Sequence, residues 1–223
     1  MNTERDMATN TEVNTDRYLE ELMERYPVLL PVKENIKAAY EMLEAAYVSG
    51  GKLLAAGNGG SCADAEHIVG ELMKGFVKKR RLPEELAARL KAADEQKGGE
   101  LAEKLQGSLT AISLTGHPGL STAFLNDVDG EMIYAQQLCG YGREGDVFLG
   151  ISTSGNALNI EYACLTAKAK GIKVIGLTGK DGGRLKELAD VAIVVPEQET
   201  YKIQELHLPI YHTLCLMLEE RFY

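Results

Sequence analysis

Short apolar runs alternate with helix-spaced segments along most of this chain. Two amphipathic stretches come first, 15–26 and 33–48, separated by breaks at Pro27 and Pro31. In the second, Tyr40, Leu43 and Tyr47 fall at i, i+3 and i+7, a core-facing stripe. The pattern then changes. "KLLAAG" (52–57), "LTAISL" (109–114), "DVFLGIS" (146–152), "KVIGLT" (173–178) and "DVAIVVP" (190–196) are short and apolar, and predict strands buried on both faces. Between them, 61–76, 119–125, 129–141, 156–170 and 182–188 have helical character, and 200–221 closes the chain as a helix. Such alternation predicts an α/β fold, a five-stranded parallel sheet sandwiched between two helical layers.

Residues 77–108 break the alternation. They are charged and helix-prone, with Leu82, Leu86 and Leu90 at i, i+4 and i+8, and predict a helical insertion. The "KKRR" run inside it (78–81) sits among many acidic residues and is expected to be a solvated face, not a nucleic-acid patch. Residues 1–14 are polar, without the apolar core of a signal peptide, and predict a disordered tail before a single domain over 15–223.

Composition narrows the function. The net charge of −9 argues against a general nucleic-acid or membrane-surface binder, so an anionic substrate must be attracted locally. No apolar run approaches the roughly 20 residues of a membrane-spanning helix. Cys62, Cys139, Cys164 and Cys215 are widely spaced, which predicts no disulfide framework, a cytoplasmic setting and small buried side chains.

Parallel sheets bind ligands beyond the carboxyl ends of their strands, which singles out two loops here. In "GISTSGN" (150–156), Ser152, Thr153 and Ser154 offer three hydroxyls, Gly155 allows a tight turn, and Asn156 adds an amide where the next helix opens. Hydroxyls beside free N–H groups at a helix start form an anion cradle that needs no lysine. One Ser or Asn would suffice as a helix cap, so the excess favours phosphate binding. "GNGGS" (57–61) is the matching loop, where Asn58, Gly59, Gly60 and Ser61 let a ligand approach the main chain. It is neither a dinucleotide fingerprint nor a Walker loop, which leaves a small polar ligand.

With "DAEHIVGEL", "GREGDVFLGISTSGN", "LTGKDGG" and "YKIQELH", these loops resemble the sugar isomerase (SIS) domain, and within it the bacterial phosphoheptose isomerases, over roughly 33–221. The resemblance implies a flavodoxin-like SIS fold and conversion of sedoheptulose 7-phosphate to D-glycero-D-manno-heptose 7-phosphate, a precursor of lipopolysaccharide. It places the catalytic base at Glu71 and its acid partner at His212. Zinc, bound in several members, would be held by His67, Glu71, Gln204 and His212. Phosphate contacts would fall on Ser152, Thr153 and Ser154, and sugar contacts on Asn58, Ser61, Asn126 and Asp127. The family's homotetramers have active sites between subunits.

The residues support this chemistry independently. Aldose–ketose isomerisation moves a proton between adjacent carbons and needs a base on carbon, with an acid or a metal at the oxygens. His67 and Glu71 are i, i+4 and share one helix face. Nitrogen and oxygen donors without thiolate suit an open zinc site. Gln204 and His212 lie about 12 Å apart along a straight helix, so they must lean together, bend at Pro209 or serve different subunits. His207 is a candidate to support the site from behind, and His117 is expected to be structural.

Three positions depart from the family pattern. Ala157 replaces a common Ser, Tyr201 replaces an Asp found in some members, and Pro209 interrupts the closing helix. The insertion could cap the site, alter subunit packing or recruit a partner. A non-catalytic SIS sensor or protein-binding module is the competing reading. It is disfavoured because such relatives lack the groups matching Glu71 and His212. An isomerase of another phosphosugar is the third.

Overall fold

A computed structural model describes residues 14–223, so the expected tail lies outside the described residues except for Asn14. Helix α1 (Asp16–Arg25) leads through a 3-10 turn holding Pro27 and Pro31 into α2 (Lys33–Val48). There follow β1 (Leu53–Gly57), α3 (Gly60–Met73), α4 (Glu84–Ala93), α5 (Glu95–Lys104) and β2 (Ala111–Ser113). Next come α6 (Pro118–Asp127), α7 (Ile133–Tyr141), β3 (Val147–Ser152), α8 (Leu158–Ala169), β4 (Lys173–Thr178), α9 (Gly183–Leu188) and β5 (Val191–Val194). Helix α10 (Thr200–Phe222) closes the chain and runs through Pro209.

The strands pair in parallel in the order β2-β1-β3-β4-β5. Every residue of β1 and β3 is buried, which explains why these strands read as unbroken apolar runs rather than alternating ones. One face of the sheet packs under α1, α2, α3 and α10, through residues such as Leu53, Leu149, Ile68 and Leu214. The other face packs under α7, α8 and α9, through Leu54, Phe148, Ile160 and Leu185. The chain leaves β1 toward the first face and β3 toward the second. Their carboxyl ends therefore open the crevice in which this class of sheet binds ligands.

The insertion is a helical hairpin. Helices α4 and α5 pack on each other, and among the described residues neither buries an apolar side chain. They meet closely at Gly98, where a Cβ would strike the Leu90 carbonyl. Three expectations need correction. Helix α3 ends at Met73, before the expected residue 76, because the chain turns extended at Lys74. Arg80 is not part of a solvated face: only 1% of it is exposed. Among the cysteines, Cys164 and Cys215 are buried, whereas Cys62 is half-buried and Cys139 exposed.

Candidate active site

Gly59 makes the turn from β1 into α3 at φ +57 and ψ −121, a conformation that favours glycine. The Ser61 N–H donates to the Asn58 carbonyl at 3.0 Å, and Ser61 itself is buried. The Gln204 amide, reaching from α10, fills the space that a side chain at Gly60 would need. Asn58 exchanges two amide hydrogen bonds with Asn159 of α8, each 2.9 Å. The Tyr134 hydroxyl donates to the Gly57 carbonyl at 2.7 Å, within 3.3 Å of Asn58 Oδ1. The first loop is thereby tied to helices on both faces of the sheet.

The second loop is held just as firmly. Ser152 is buried, while Thr153 and Ser154 are half-buried. Gly155 turns at φ +69, and a Cβ there would collide with the Gly182 carbonyl. Asn156 is a strut: its Nδ2 donates to the Ser154 carbonyl at 3.0 Å and its Oδ1 accepts the Arg184 N–H at 3.1 Å. This ties the serine loop to the start of α9, a link the sequence did not expose.

His67 and Glu71 share one face of α3 and meet His212 from α10. His67 Nε2 lies 3.3 Å from Glu71 Oε1 and 3.4 Å from His212 Nε2. Lys74 Nζ pairs with Glu71 Oε2 at 2.8 Å. Behind His67 stands Tyr211, whose hydroxyl lies 3.0 Å from His67 Nδ1 and donates to Asp64 Oδ1 at 3.2 Å. A tyrosine has one hydroxyl hydrogen. Given to Asp64, it leaves the oxygen to accept from His67 Nδ1–H, and in the neutral ring the lone pair then falls on Nε2, toward Glu71 and His212.

Electrostatics follow from burial. The His212 imidazole is held below its ordinary range by burial and by neighbouring His67, with Glu71 opposing both. Burial lifts the Asp64 carboxyl above its usual range, and its Oδ2 has no hydrogen-bond partner among the described residues. Burial likewise pushes the Tyr211 phenol up. His207 is buried under the sheet, 3.3 Å from the Thr178 carbonyl, and burial lowers it to about 4.

The donor set can be tested against zinc. Two ligands about 2.1 Å from a tetrahedral zinc lie about 3.4 Å apart, the spacing of His67 to each neighbour. The inward lone pair of His67 also suits a cation. Yet no three His, Cys, Asp or Glu side chains close around one point among the described residues. The donors fit pairwise, and a closed shell requires side-chain movement. Gln204 lies against Gly60 at the start of α3, the helix that carries His67 and Glu71.

Asn126 and Asp127 end α6, exposed and bonded to each other at 2.8 Å. Tyr201 is exposed. Sequence reasoning missed Asp64, Tyr134, Asn159 and Tyr211. Asp64, three residues before His67 on the same helix, carried the one local signal.

The chain matches the SIS domain over residues 17–113 and 108–179. It is 43% identical over 171 residues to the phosphoheptose isomerase of a Nitratiruptor species, covering 77% of this chain and 78% of that one. The Geotalea daltonii phosphoheptose isomerase is 40% identical, with 85% of each chain covered. Among solved structures, phosphoheptose isomerase from Francisella tularensis matches with a TM-score of 0.70 at 29% identity, covering 92% and 95% of the two chains. GmhA from Neisseria gonorrhoeae, also a phosphoheptose isomerase, matches at 0.67 and 30%, covering 90% of each. With the crevice, the two loops and the His/Glu helix in place, the chain belongs to the SIS-domain phosphoheptose isomerase family and is a phosphosugar isomerase.

Proposed function

We propose that this enzyme interconverts sedoheptulose 7-phosphate and D-glycero-D-manno-heptose 7-phosphate through an enediol. The observation that carries the reading is the convergence of Glu71 and His212, from helices far apart in sequence, on one nitrogen of the His67 imidazole. The Glu71 carboxylate takes the proton from C1 of the ketose and returns it to C2. His212 supplies a proton to the C2 oxygen and receives one from the C1 hydroxyl, so the sugar's formula is unchanged. Ser152, Thr153, Ser154 and the start of α8 hold the phosphate. Asn58, Gly59, Gly60, Ser61, Asn126, Asp127, Asn156 and Gln204 are assigned to the sugar side, some directly and some, as with Asn156, by fixing a loop.

Zinc held by His67, Glu71 and His212, with Gln204 joining by rotation, would polarise the sugar carbonyl. A homotetramer with sites between subunits is part of the same reading. It is supported by α6, which buries none of its residues and exposes Leu125 by 66%, with Val128 just beyond it exposed by 63%. A cytoplasmic setting, where sugar phosphates are made, belongs to the reading as well. No helix among the described residues is long and apolar enough to cross a membrane.

The test is turnover of sedoheptulose 7-phosphate by the purified protein, metal-loaded and chelated, beside Glu71→Gln. Glu71→Gln is expected to lower kcat by about 100-fold or more while the protein still binds the sugar phosphate. Wild-type protein that binds the sugar without converting it would reject the reading.

A further inference from the structure

A buried ion pair lies directly behind the site. The side chains of Arg80 and Glu219 are fully buried and meet through Arg80 Nε and Glu219 Oε1 at 2.7 Å. Isolated, such a pair gains little, because desolvating two charges offsets their attraction. Here further hydrogen bonds surround both charges. Arg80 Nη1 donates to the Leu72 carbonyl at 2.7 Å and Nη2 to the Glu71 carbonyl at 3.0 Å. These belong to the last turn of α3, where carbonyls lose their helical partners. Glu219 accepts three main-chain N–H groups, from Phe76 at 2.8 Å, Val77 at 2.9 Å and Lys78 at 3.0 Å.

The node reaches both proposed catalytic groups. On one side it grips the main chain of Glu71. On the other, it fixes Phe76, whose ring packs on the His212 imidazole with centroids 5.4 Å apart. Glu219 also lies seven residues beyond His212, two turns along the same helix. Burial alone would oppose ionisation of Glu219, but the Phe76 and Val77 N–H groups and Arg80 outweigh it and hold the carboxyl below its usual range.

The geometry points to Arg80, clamped by Glu219, as a positioning residue that sets the separation between the Glu71 carboxylate and the His212 ring. This rests on the isomerase reading for its kinetic consequence, though not for its geometry. A guanidinium can span two carbonyls and a carboxylate in one plane, whereas an ammonium cannot. Since α3 ends only two residues past Glu71, its last turn is free to shift unless it is held. A misplacement of about 1 Å is enough to lower a rate by about 100-fold.

The experiment compares Arg80→Lys, which keeps the charge, with the exposed control Arg81→Lys. Sedoheptulose 7-phosphate turnover is measured together with nitrogen-15 NMR of the histidine rings. For Arg80→Lys we expect kcat to fall about 10- to 100-fold with KM within about twofold, and the His67 and His212 ring signals to shift. Arg81→Lys should match wild type. If Arg80→Lys instead melts lower but keeps wild-type kcat and ring signals, Arg80 is structural and the proposal fails. Should Arg80→Lys not fold, Glu219→Gln, which keeps the shape of the clamp, is read by the same two measurements and the same criteria. If wild type itself does not convert the sugar, the isomerase reading fails, and the ring signals alone decide: shifted supports positioning, unshifted overturns it.

Discussion

The one hydroxyl hydrogen of Tyr211 decides which nitrogen of His67 carries the proton. Tyr211→Phe removes the acceptor for His67 Nδ1–H and leaves Asp64 without its only hydrogen-bond donor among the described residues. The expected result is a kcat about tenfold lower, with a stability loss of about 1–3 kcal/mol, read from steady-state kinetics and urea unfolding. His207 gives a second prediction. The unfolded chain binds a proton at this imidazole near pH 6.5, the folded chain only near 4, so between these values the unfolded state holds more protons. Stability therefore falls as pH drops through that window, by up to about 3 kcal/mol, and His207→Leu should flatten that part of the urea-unfolding profile. His67 and Glu71 were legible because i, i+4 spacing puts them on one face within a few residues. Tyr211 and Arg80 were not, because Asp64 and Glu219, which they bind, lie across the fold, and a basic run gives no local sign that one arginine turns inward.

Among the elements, helix α8 starts without a side-chain cap. Its cap residue, Ala157, is extended and offers no side-chain acceptor to the first N–H groups. Ala157→Ser should supply one and raise stability by about 1 kcal/mol, seen as a higher melting temperature. The hydroxyl would also stand beside the serine loop, so inorganic phosphate is expected to bind severalfold more tightly in a titration. Element types were readable throughout, since period and length separate these short buried strands from the helices. Boundaries were less so. The end of α3 depends on Arg80 taking its carbonyls, which no residue near position 73 announces.

The architecture of the whole molecule followed from alternation alone, but the strand order did not. Apolar runs show that strands are buried without showing their neighbours, and the crevice between β1 and β3 appears only once the order is known. The hairpin α4–α5 tests how far the body depends on its insertion. The Arg80 carbonyl accepts the Gly107 N–H at 3.2 Å, so the chain enters and leaves the hairpin at one point. Replacing 84–104 by a short Gly/Ser linker should leave the melting temperature within about 3 °C of wild type. Sedimentation of the intact chain, expected at the mass of four chains, checks the proposed assembly.

Helix α10 carries Gln204 over the first loop, His212 at the donor chain and Glu219 in the clamp. A helix is stiff along its axis, so these three groups move together or not at all. In a saturation screen for lost activity, damaging positions should therefore form a stripe along this helix, every third or fourth residue through Ile203, His207, Ile210, Leu214 and Leu218. Many would lie far from any sugar atom, and their shared phenotype would be the signature of one rod aligning three jobs.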